Sequence, residues 1–536
     1  MLLWNQKHHG ILNAVVIFMI ERILQWLKYR RTPKGRKTSE PKHPITGDLK
    51  EERRCFLDML GQNNDVKIRE FKAGGRNFLL LFIDGLVNLE TLNKFVVAPI
   101  QDQGQNRIPA DMDHIARTLL HVCDTALVKD RETALEVILY GDGILLAEGC
   151  ATAAMVAAKG FERRGVEQPE NETVVRGPKE SFTENLRTNT SLIRRKIRSG
   201  NLTYEDFQKG KQTKTPICMV YMKNLADPKL LEEVRNRISK INIDMVLETG
   251  YVEQLIEDNP LSIFPTLGYT EKPDVAAAKL LEGRVLILVD GTPFVLTAPY
   301  LMLEAFQNPE DYYEKPFYGS FIRLFRMFAF LISIFAPALF VALTTFHQEL
   351  IPTSLLFTMA AAREGIPFTA FTETVVMLVT FEILREAGLR LPRAVGQTIS
   401  IVGALVMGDA AVAAGLVGAP LVITVAFTAV CAFVVPVMNN QQTVLRWLFL
   451  LVAGMMGGLG IALGAILLFS HLVSTRSFGF PYLSPFAPLR KRDLKDSVLR
   501  APLWLMRRRP VGMTPSNLIR EDTPVPGGNR GDDSDG

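Results

Sequence analysis

The feature that most constrains this chain is the concentration of its apolar residues between about 321 and 473. Uncharged or sparsely charged runs occupy 327–346, 368–384, 396–420, 421–436 and 447–469. A helix needs about 20 mostly apolar residues to cross a bilayer, so the shorter run at 350–362 is predicted to be interfacial or re-entrant. The sequence therefore predicts an α-helical transmembrane domain of four to five segments over 321–473.

Basic residues beside these runs predict their orientation. Arg323 and Arg326 precede the first run, and Arg385, Arg390 and Arg393 follow the second. Clustered positive charges mark cytoplasmic loops, and the basic C-terminal region belongs on the same side. If both ends of this domain lay on the cytoplasmic side, the number of crossings would have to be even, but five segments are predicted. Either one segment therefore enters the membrane without a simple crossing, or one end of the domain lies outside.

The soluble part of the chain precedes the membrane runs. Residues 48–315 alternate strand-like and helix-like segments, which predicts an N-terminal cytoplasmic α/β (α+β) domain with possible lobes at about 48–165 and 215–315. Asp48 is a predicted helix N-cap. Glycine-containing turns predict β-hairpins over 134–149, around Gly141 and Gly143, and over 284–299, around Gly291. Residues 1–47 are predicted to be a basic extension and linker, 474–513 a basic amphipathic segment, and 514–536 a disordered tail.

The sequence lacks a catalytic or metal-binding signature. It contains no P-loop, HExxH or GxSxG motif, and its five cysteines form no CxxC pair. His114 and His121 share a predicted helix face but have no ligand partners. The basic runs at 22–37 and 490–509 favour an anionic membrane leaflet, since no aromatic-interleaved basic motif indicates nucleic acid. We expect no enzymatic activity, cofactor, metal or nucleic-acid partner.

The segment 164–202 is the most distinctive soluble stretch. It predicts a helix whose apolar stripe comprises Phe182, Leu186, Leu192, Ile193 and Ile197. Five cations in or near it could hold a carboxylate or an anionic partner: Arg176, Lys179, Arg194, Arg195 and Lys196. The alternatives are a subunit or partner contact and a merely solvated basic face.

The run at 396–420, GQTISIVGALVMGDAAVAAGLVGAP, combines membrane-like hydropathy with small residues and an acid. Spaced four apart, Gly396, Ser400, Ala404 and Gly408 would let another helix approach closely. A second face holds the candidate pore-lining residues Thr398, Val402, Leu405, Val406 and Asp409. In a ring of copies this face would form an apolar constriction beside a ring of carboxylates, which selects cations. The other interpretation is a packed helix with Asp409 hydrogen-bonded at a membrane boundary.

Two further acids, Glu373 and Glu382, lie inside the run at 368–384. Acids at membrane depth are costly and are usually paired or functional. We expect each either to pair with Arg385 or Arg390 near the interface or to line a polar path.

Four stretches carry a family resemblance: EQPENETVVRGPKESFTENLRTNTSLIRRKIR (167–198), PDVAAAKLLEGRVLILVDGTPFVL (273–296), PEDYYEKPFYGSFIRLFR (309–326) and TFEILREAGLRLPRAVGQTISIVGALVMGDAAVAAG (380–415). They resemble GerA-type spore germinant receptor A subunits over roughly 48–510. The resemblance implies a multi-pass protein of the spore inner membrane in an endospore-forming bacterium. It also implies a transporter-like, nutrient-binding B subunit and a lipoprotein C subunit as partners, and a homo-oligomeric ring that forms a nutrient-gated channel for monovalent cations.

The sequence departs from the family pattern at Asp409. Family members tend to have an amide at this position and an acid where Ala413 stands, so here the acid lies one turn earlier. The charge is kept while its depth changes. Two alternatives stay open: a sporulation stage V AF-like paralogue that assists ion release without its own nutrient, and a non-conducting membrane scaffold.

Overall fold

Two five-stranded antiparallel sheets form the soluble part of the chain. The computed structural model describes residues 43–61, 63–104, 106–160, 169, 172–390, 408–490, 493–510, 513–514 and 517–520. The first lobe contains α1 (Leu49–Leu60), β1 (Val66–Ala73), β2 (Arg76–Ile83), α2 (89–101, with a π-helical turn at Asn93–Val97), α3 (Met112–Thr118), β3 (Thr125–Val128), α4 (Arg131–Tyr140), β4 (Gly143–Ala147) and β5 (Ala153–Val156). Its strand order is β1-β2-β4-β5-β3. Asp48 is the N-cap of α1, as predicted, and accepts from the Lys50 amide at 2.9 Å.

The second lobe repeats this arrangement. It contains α5 (Leu186–Lys196), β6 (Leu202–Lys209), β7 (Thr215–Met222), α6 (Pro228–Lys240), α7 (Thr249–Ile256), β8 (Gly268–Thr270), α8 (Pro273–Leu281), β9 (Val285–Val289) and β10 (Val295–Ala298). Its strand order, β6-β7-β9-β10-β8, matches that of the first lobe strand for strand. Helices and strands also follow one another in the same sequence in both lobes. The soluble part is therefore a structural duplication, although the sequence shows no convincing internal repeat.

Both faces of each sheet are covered, which explains the continuously apolar strands. In β2, Leu80 belongs to the core on one face of the sheet, whereas Leu79 and Leu81 belong to the core on the other. A strand buried on both faces needs no alternation of apolar and polar residues.

One predicted hairpin is correct and the other is wrong. β9 and β10 pair around Gly291, as predicted for 284–299. Residues 134–149 are not a hairpin, because the helix α4 occupies their first half and only β4 follows. Gly141, which suggested a tight turn, adopts φ 98° and caps α4 through its amide, which donates to the Ile138 and Val137 carbonyls. A glycine with positive φ can either cap a helix or form a hairpin turn, so the glycines at 141 and 143 alone do not distinguish the end of a helix from a hairpin.

Helices dominate the chain from residue 310 to residue 474. They are α9 (Glu310–Tyr313), α10 (Pro316–Thr345), α11 (Thr353–Ala361), α12 (Ala370–Arg390), α13 (Ala419–Phe433) and α14 (Asn439–Ser474), and residues 408–413 are also helical. Within the described ranges, two helical segments are long and apolar enough to cross a membrane, Pro316–Thr345 and Pro436–Ser474, and Ala419–Phe433 is a shorter apolar helix. After α14 come the two-residue strands β11 (Arg476–Ser477) and β12 (Phe480–Pro481).

Candidate functional site

The long helix α14 is a helical hairpin. Gly457 interrupts it with φ 57° and ψ −139°. A Cβ added to Gly460 would lie 2.6 Å from the Val452 carbonyl oxygen, and one added to Gly464 would lie 2.9 Å from the Phe449 ring. In a straight helix these pairs would be about 12 Å and 22 Å apart. The chain therefore reverses at Gly457, and the prediction that 447–469 is a single span is wrong.

The two arms of this hairpin, 439–456 and 458–474, define the ends of the membrane bundle. At the far end, Gly457 approaches Phe346, which follows α10, and Gly454 approaches Phe371 at the start of α12. At the near end, toward the soluble lobes, the Arg385 guanidinium of α12 donates to Thr443 Oγ1 at 2.9 Å. Each arm is about 26 Å long at 1.5 Å per residue, close to the hydrocarbon thickness of a bilayer.

A buried polar cluster joins three helices at the near end. Glu382 of α12 accepts from Arg385 at 2.6 Å and from Arg446 of α14 at 3.2 Å. Arg446 is completely buried, and its Nε donates to the Ser333 carbonyl of α10 at 2.8 Å. Ser333 Oγ also donates a hydrogen bond to Gln442 Oε1 of α14 at 2.8 Å. The expected pair of Glu382 with Arg385 is present, and the cluster fixes the relative position of α10, α12 and α14.

Glu373 lies at the opposite end of α12 with a different partner. It is buried, accepts from Arg363 Nη2 at 2.8 Å and accepts from the Gly418 amide at 3.1 Å. The expectation that it pairs with Arg385 or Arg390 is wrong. Arg385 is twelve positions away, about 18 Å along the helix. Arg390 pairs with Glu386 at 2.6 Å.

The candidate pore stretch is only partly described. Gly396, Thr398, Ser400, Val402, Ala404, Leu405 and Val406 lie outside the described residues, so their assigned roles stay predictions. Gly408 is buried, and a Cβ added there would meet Val422 of α13 at 3.4 Å. Asp409 is exposed on the same helical turn. These two neighbours thus face different surroundings.

The five cations of the 164–202 segment do not form one surface. Arg194 is buried and donates to Asp65 Oδ2 from Nε at 3.1 Å and from Nη2 at 2.7 Å. It joins the two lobes internally, so it is not available to a partner. Arg195 and Lys196 both pair with Glu180, at 3.2 and 2.8 Å.

The remaining two cations lie toward the solvent. Arg176 is exposed and lies 3.5 Å from Glu314, and Lys179 is exposed. The predicted apolar stripe of α5 is present, since all five of its residues are buried in one core. Among the described residues, no group of three or more His, Cys, Asp or Glu side chains could hold a metal ion.

Sequence reasoning missed Arg446, Arg363 and Gly457. Arg446 stands one residue before the apolar run at 447–469, and a charge at that border was a usable signal. Arg363 follows a run too short to span, where nothing indicated that it meets an acid. Gly457 stands among three other glycines in 454–460, and no local pattern marks which of them bends the chain.

Two α/β lobes are followed by a helical bundle that a buried polar cluster holds together, and two of the described helical segments are long and apolar enough to cross a membrane. The chain belongs to the GerA family, whose model, described as Bacillus/Clostridium GerA spore germination protein, matches residues 54–511. It is 43% identical over 481 residues to spore germination protein KA of Bacillus subtilis (strain 168), covering 88% of each chain. It is 37% identical over 470 residues to spore germination protein GerLA of Bacillus cereus, covering 87% of this chain and 96% of that one.

A solved structure also matches. It is the N-terminal domain of the A subunit of the Bacillus megaterium spore germinant receptor GerK3, with 31% identity and a TM-score of 0.39. The match covers 49% of this chain and 98% of that chain.

Proposed function

We propose that this chain is the A subunit of a nutrient germinant receptor in the spore inner membrane, and that copies of it form a nutrient-gated channel for monovalent cations. Its relatives include proteins named for spore germination. The chain would act without catalysis, beside a transporter-like B subunit that binds the nutrient and a lipoprotein C subunit. The soluble lobes would lie in the cytoplasm.

One observation carries the channel proposal. Arg390 ends α12 at the near end of the bundle, beyond the Glu382 cluster. Gly408 contacts Val422, one turn into α13, and α13 begins at the far end beside Glu373. The described residues on either side of 391–407, Arg390 and Gly408, therefore lie at opposite ends of the bundle. This supports a path across the membrane for the stretch that contains Val402 and the other candidate pore-lining residues.

A stripe on the first half of α10 supports the homo-oligomer. It comprises Phe317, Phe321, Leu324, Phe328 and Leu331, which are between 50% and 78% exposed. Their spacings of 4, 3, 4 and 3 residues form a coiled-coil seam. Apolar patches of this kind mark interaction sites. The stripe would bring the α10 helices of neighbouring copies together beside the lobes.

The test of the channel compares cation release from spores that carry Val402→Ala, Asp409→Asn or the wild-type chain with its partner subunits. We expect potassium to leak without nutrient from Val402→Ala, because a smaller side chain widens an apolar gate, and ion preference to change in Asp409→Asn. Val430→Ala and Glu386→Gln are matched controls at exposed positions outside this stretch, and they should behave as wild type. Normal, nutrient-dependent release in both test variants would remove this stretch from the pore.

A further inference from the structure

The chain after α14 returns to the second lobe and is bound to it. Ser477 Oγ donates to the Thr266 carbonyl at 2.6 Å and accepts from the Tyr300 amide at 3.0 Å. The Met302 amide donates to the Tyr482 carbonyl at 3.1 Å. These contacts attach residues 477–482 to the end of β10 and to the turn that leads to α10. No sequence pattern indicates these contacts, since this region is predicted only as a basic amphipathic segment.

The same segment then reaches the start of α10 through the partly buried carboxylate of Asp496. Asp496 Oδ1 accepts from Arg323 Nη1 at 2.9 Å, and Asp496 Oδ2 accepts from the Tyr312 hydroxyl at 3.0 Å. Its backbone carbonyl accepts from Gln307 Nε2 at 2.7 Å. Arg323 is completely buried and also donates to Asp311 Oδ2 at 3.0 Å. One residue of the C-terminal segment thus binds α10, α9 and the connection between the second lobe and the helices.

Arg500 forms a second attachment four residues later. Its guanidinium donates to the Tyr312 carbonyl at 3.0 Å and to the Glu314 carbonyl at 3.3 Å, at the end of α9. Its backbone amide donates to Ser320 Oγ at 3.0 Å, on the second turn of α10. The segment therefore packs against the first turns of α10 through Ser320 and Arg323, beside the exposed stripe.

The C-terminal segment meets α9 and the start of α10 at a junction, and the balance of charge there makes Asp496 necessary. Arg323 and Arg326 face the carboxylates of Asp311 and Asp496, so two cations meet two anions. Without the charge of Asp496, the buried guanidinium of Arg323 and the partly buried guanidinium of Arg326 would share Asp311 alone, with Arg500 close by. Burying a charge without a partner is strongly unfavourable, so the junction would open rather than persist unpaired.

We propose that the described residues 476–490 and 493–510 form a strap that transmits movement of the second lobe to α10 and to the second arm of α14, with Asp496 as its positioning residue. This inference rests on the proposed function, because it supplies the mechanical connection between the soluble lobes and the gate. The strap begins where the second arm of α14 ends and closes on the start of α10. A shift of the second lobe therefore pulls on both helices at the near end of the bundle.

The first test measures the attachment itself, in the purified full chain in lipid nanodiscs. We expect hydrogen exchange in Asp496→Asn to become about tenfold faster or more at 311–326 and 494–500, with no change in the first-lobe sheet, because a charge-assisted bond that closes the junction is lost. Asp113→Asn is the matched control, since Asp113 pairs with Arg117 on the exposed surface of the first lobe. Unchanged exchange at the junction would overturn the strap. Hydrogen exchange at the junction does not depend on conduction. A wild-type chain that fails to conduct would therefore refute the channel, while the exchange measurement would still test the attachment of the strap.

The second test measures transmission in spores with matched receptor abundance. Asp496→Asn should slow nutrient-triggered potassium release severalfold, while Asp113→Asn should not. Wild-type release from Asp496→Asn, despite faster exchange, would show that the attachment exists but is not needed for transmission, and would overturn the proposal. If Asp496→Asn fails to accumulate, Ser320→Ala replaces it, because it removes the Arg500 contact and otherwise only the bond that Ser320 donates to the Pro316 carbonyl within α10. That variant must then show the same two effects in weaker form, or the proposal fails.

Discussion

At the scale of the residue, neighbours of identical chemistry have different roles in this chain. Arg194 and Arg195 are adjacent, yet the first is a buried link between lobes and the second pairs with Glu180 near the surface. Burial of Arg194 depends on Asp65, a residue 129 positions earlier in the chain. A buried guanidinium needs such a partner and loses much stability without it. No local sequence pattern indicates so distant a partner, which is why Arg194 and Arg195 are predicted as members of one group of cations.

Glu253 on α7 gives a residue-scale prediction about pH. Burial, with repulsion from Glu257 and Glu248, raises the pKa of Glu253 from 4.5 to about 7. Between pH 4.5 and 7 the folded chain keeps this proton while the unfolded chain has lost it, so the free energy of unfolding falls as pH rises through this window. We expect Glu253→Gln to match wild type near pH 4.5 and to have a higher Tm at pH 8.

The measurement is the melting temperature of the detergent-solubilised full chain at several pH values. Glu232→Gln, at an exposed position of α6, is the control and should keep the wild-type slope. A Glu253→Gln variant whose Tm falls with pH as steeply as that of wild type would contradict the prediction.

At the scale of the element, the sequence predicts what depends on neighbouring residues and fails where distant contacts decide. The N-cap at Asp48, the β9–β10 hairpin and the stripe of α5 follow from short-range spacing, and all three are present. The predictions of a hairpin at 134–149 and of a single span at 447–469 are wrong because a glycine with positive φ can end a helix, form a hairpin turn or reverse a helical chain. At Gly457, packing of Phe449 against Gly464 stabilises a reversal that hydropathy does not reveal.

Cross-linking tests the hairpin of α14 directly. In a Phe449→Cys/Gly464→Cys variant, a short bifunctional thiol reagent should join the two positions within one chain, because the arms bring them into contact. Leu324→Cys/Leu339→Cys is the matched control, with the same separation of fifteen positions along α10, where about 22 Å keeps them apart. Equal yields from the two pairs, read by peptide mass, would count against the reversal.

At the scale of the whole molecule, duplication and reversal organise the chain. The two lobes share one order of helices and strands, so a common architecture is preserved where sequence similarity is not. Fold class could be predicted because alternating elements and long apolar runs are visible locally. The candidate pore could be predicted only as a pattern of residues on two faces of one predicted helix, since a pore ring would require other copies of the chain.

The topology follows from the contacts of the strap. Because residues 477–500 bind the second lobe and the start of α10, the chain must return after α14 to the side where it entered. We therefore predict an even number of crossings. Counting the two arms of α14 separately raises the five spans predicted from the sequence to six. On this topology, the turn after α10, which carries Glu349, lies on the opposite side from the lobes.

Thiol labelling of protoplasts that express the chain tests this arrangement. Glu349→Cys should react with a membrane-impermeant maleimide in intact protoplasts, whereas Glu386→Cys, an exposed glutamate replaced at the near end of the bundle, should react only after permeabilisation. The native Cys123, exposed in the first lobe, reports in the same sample the side on which the lobes lie. Labelling of Glu349→Cys only after permeabilisation would mean that α10 does not cross, and the six-crossing topology would then be wrong even if the hairpin of α14 is confirmed.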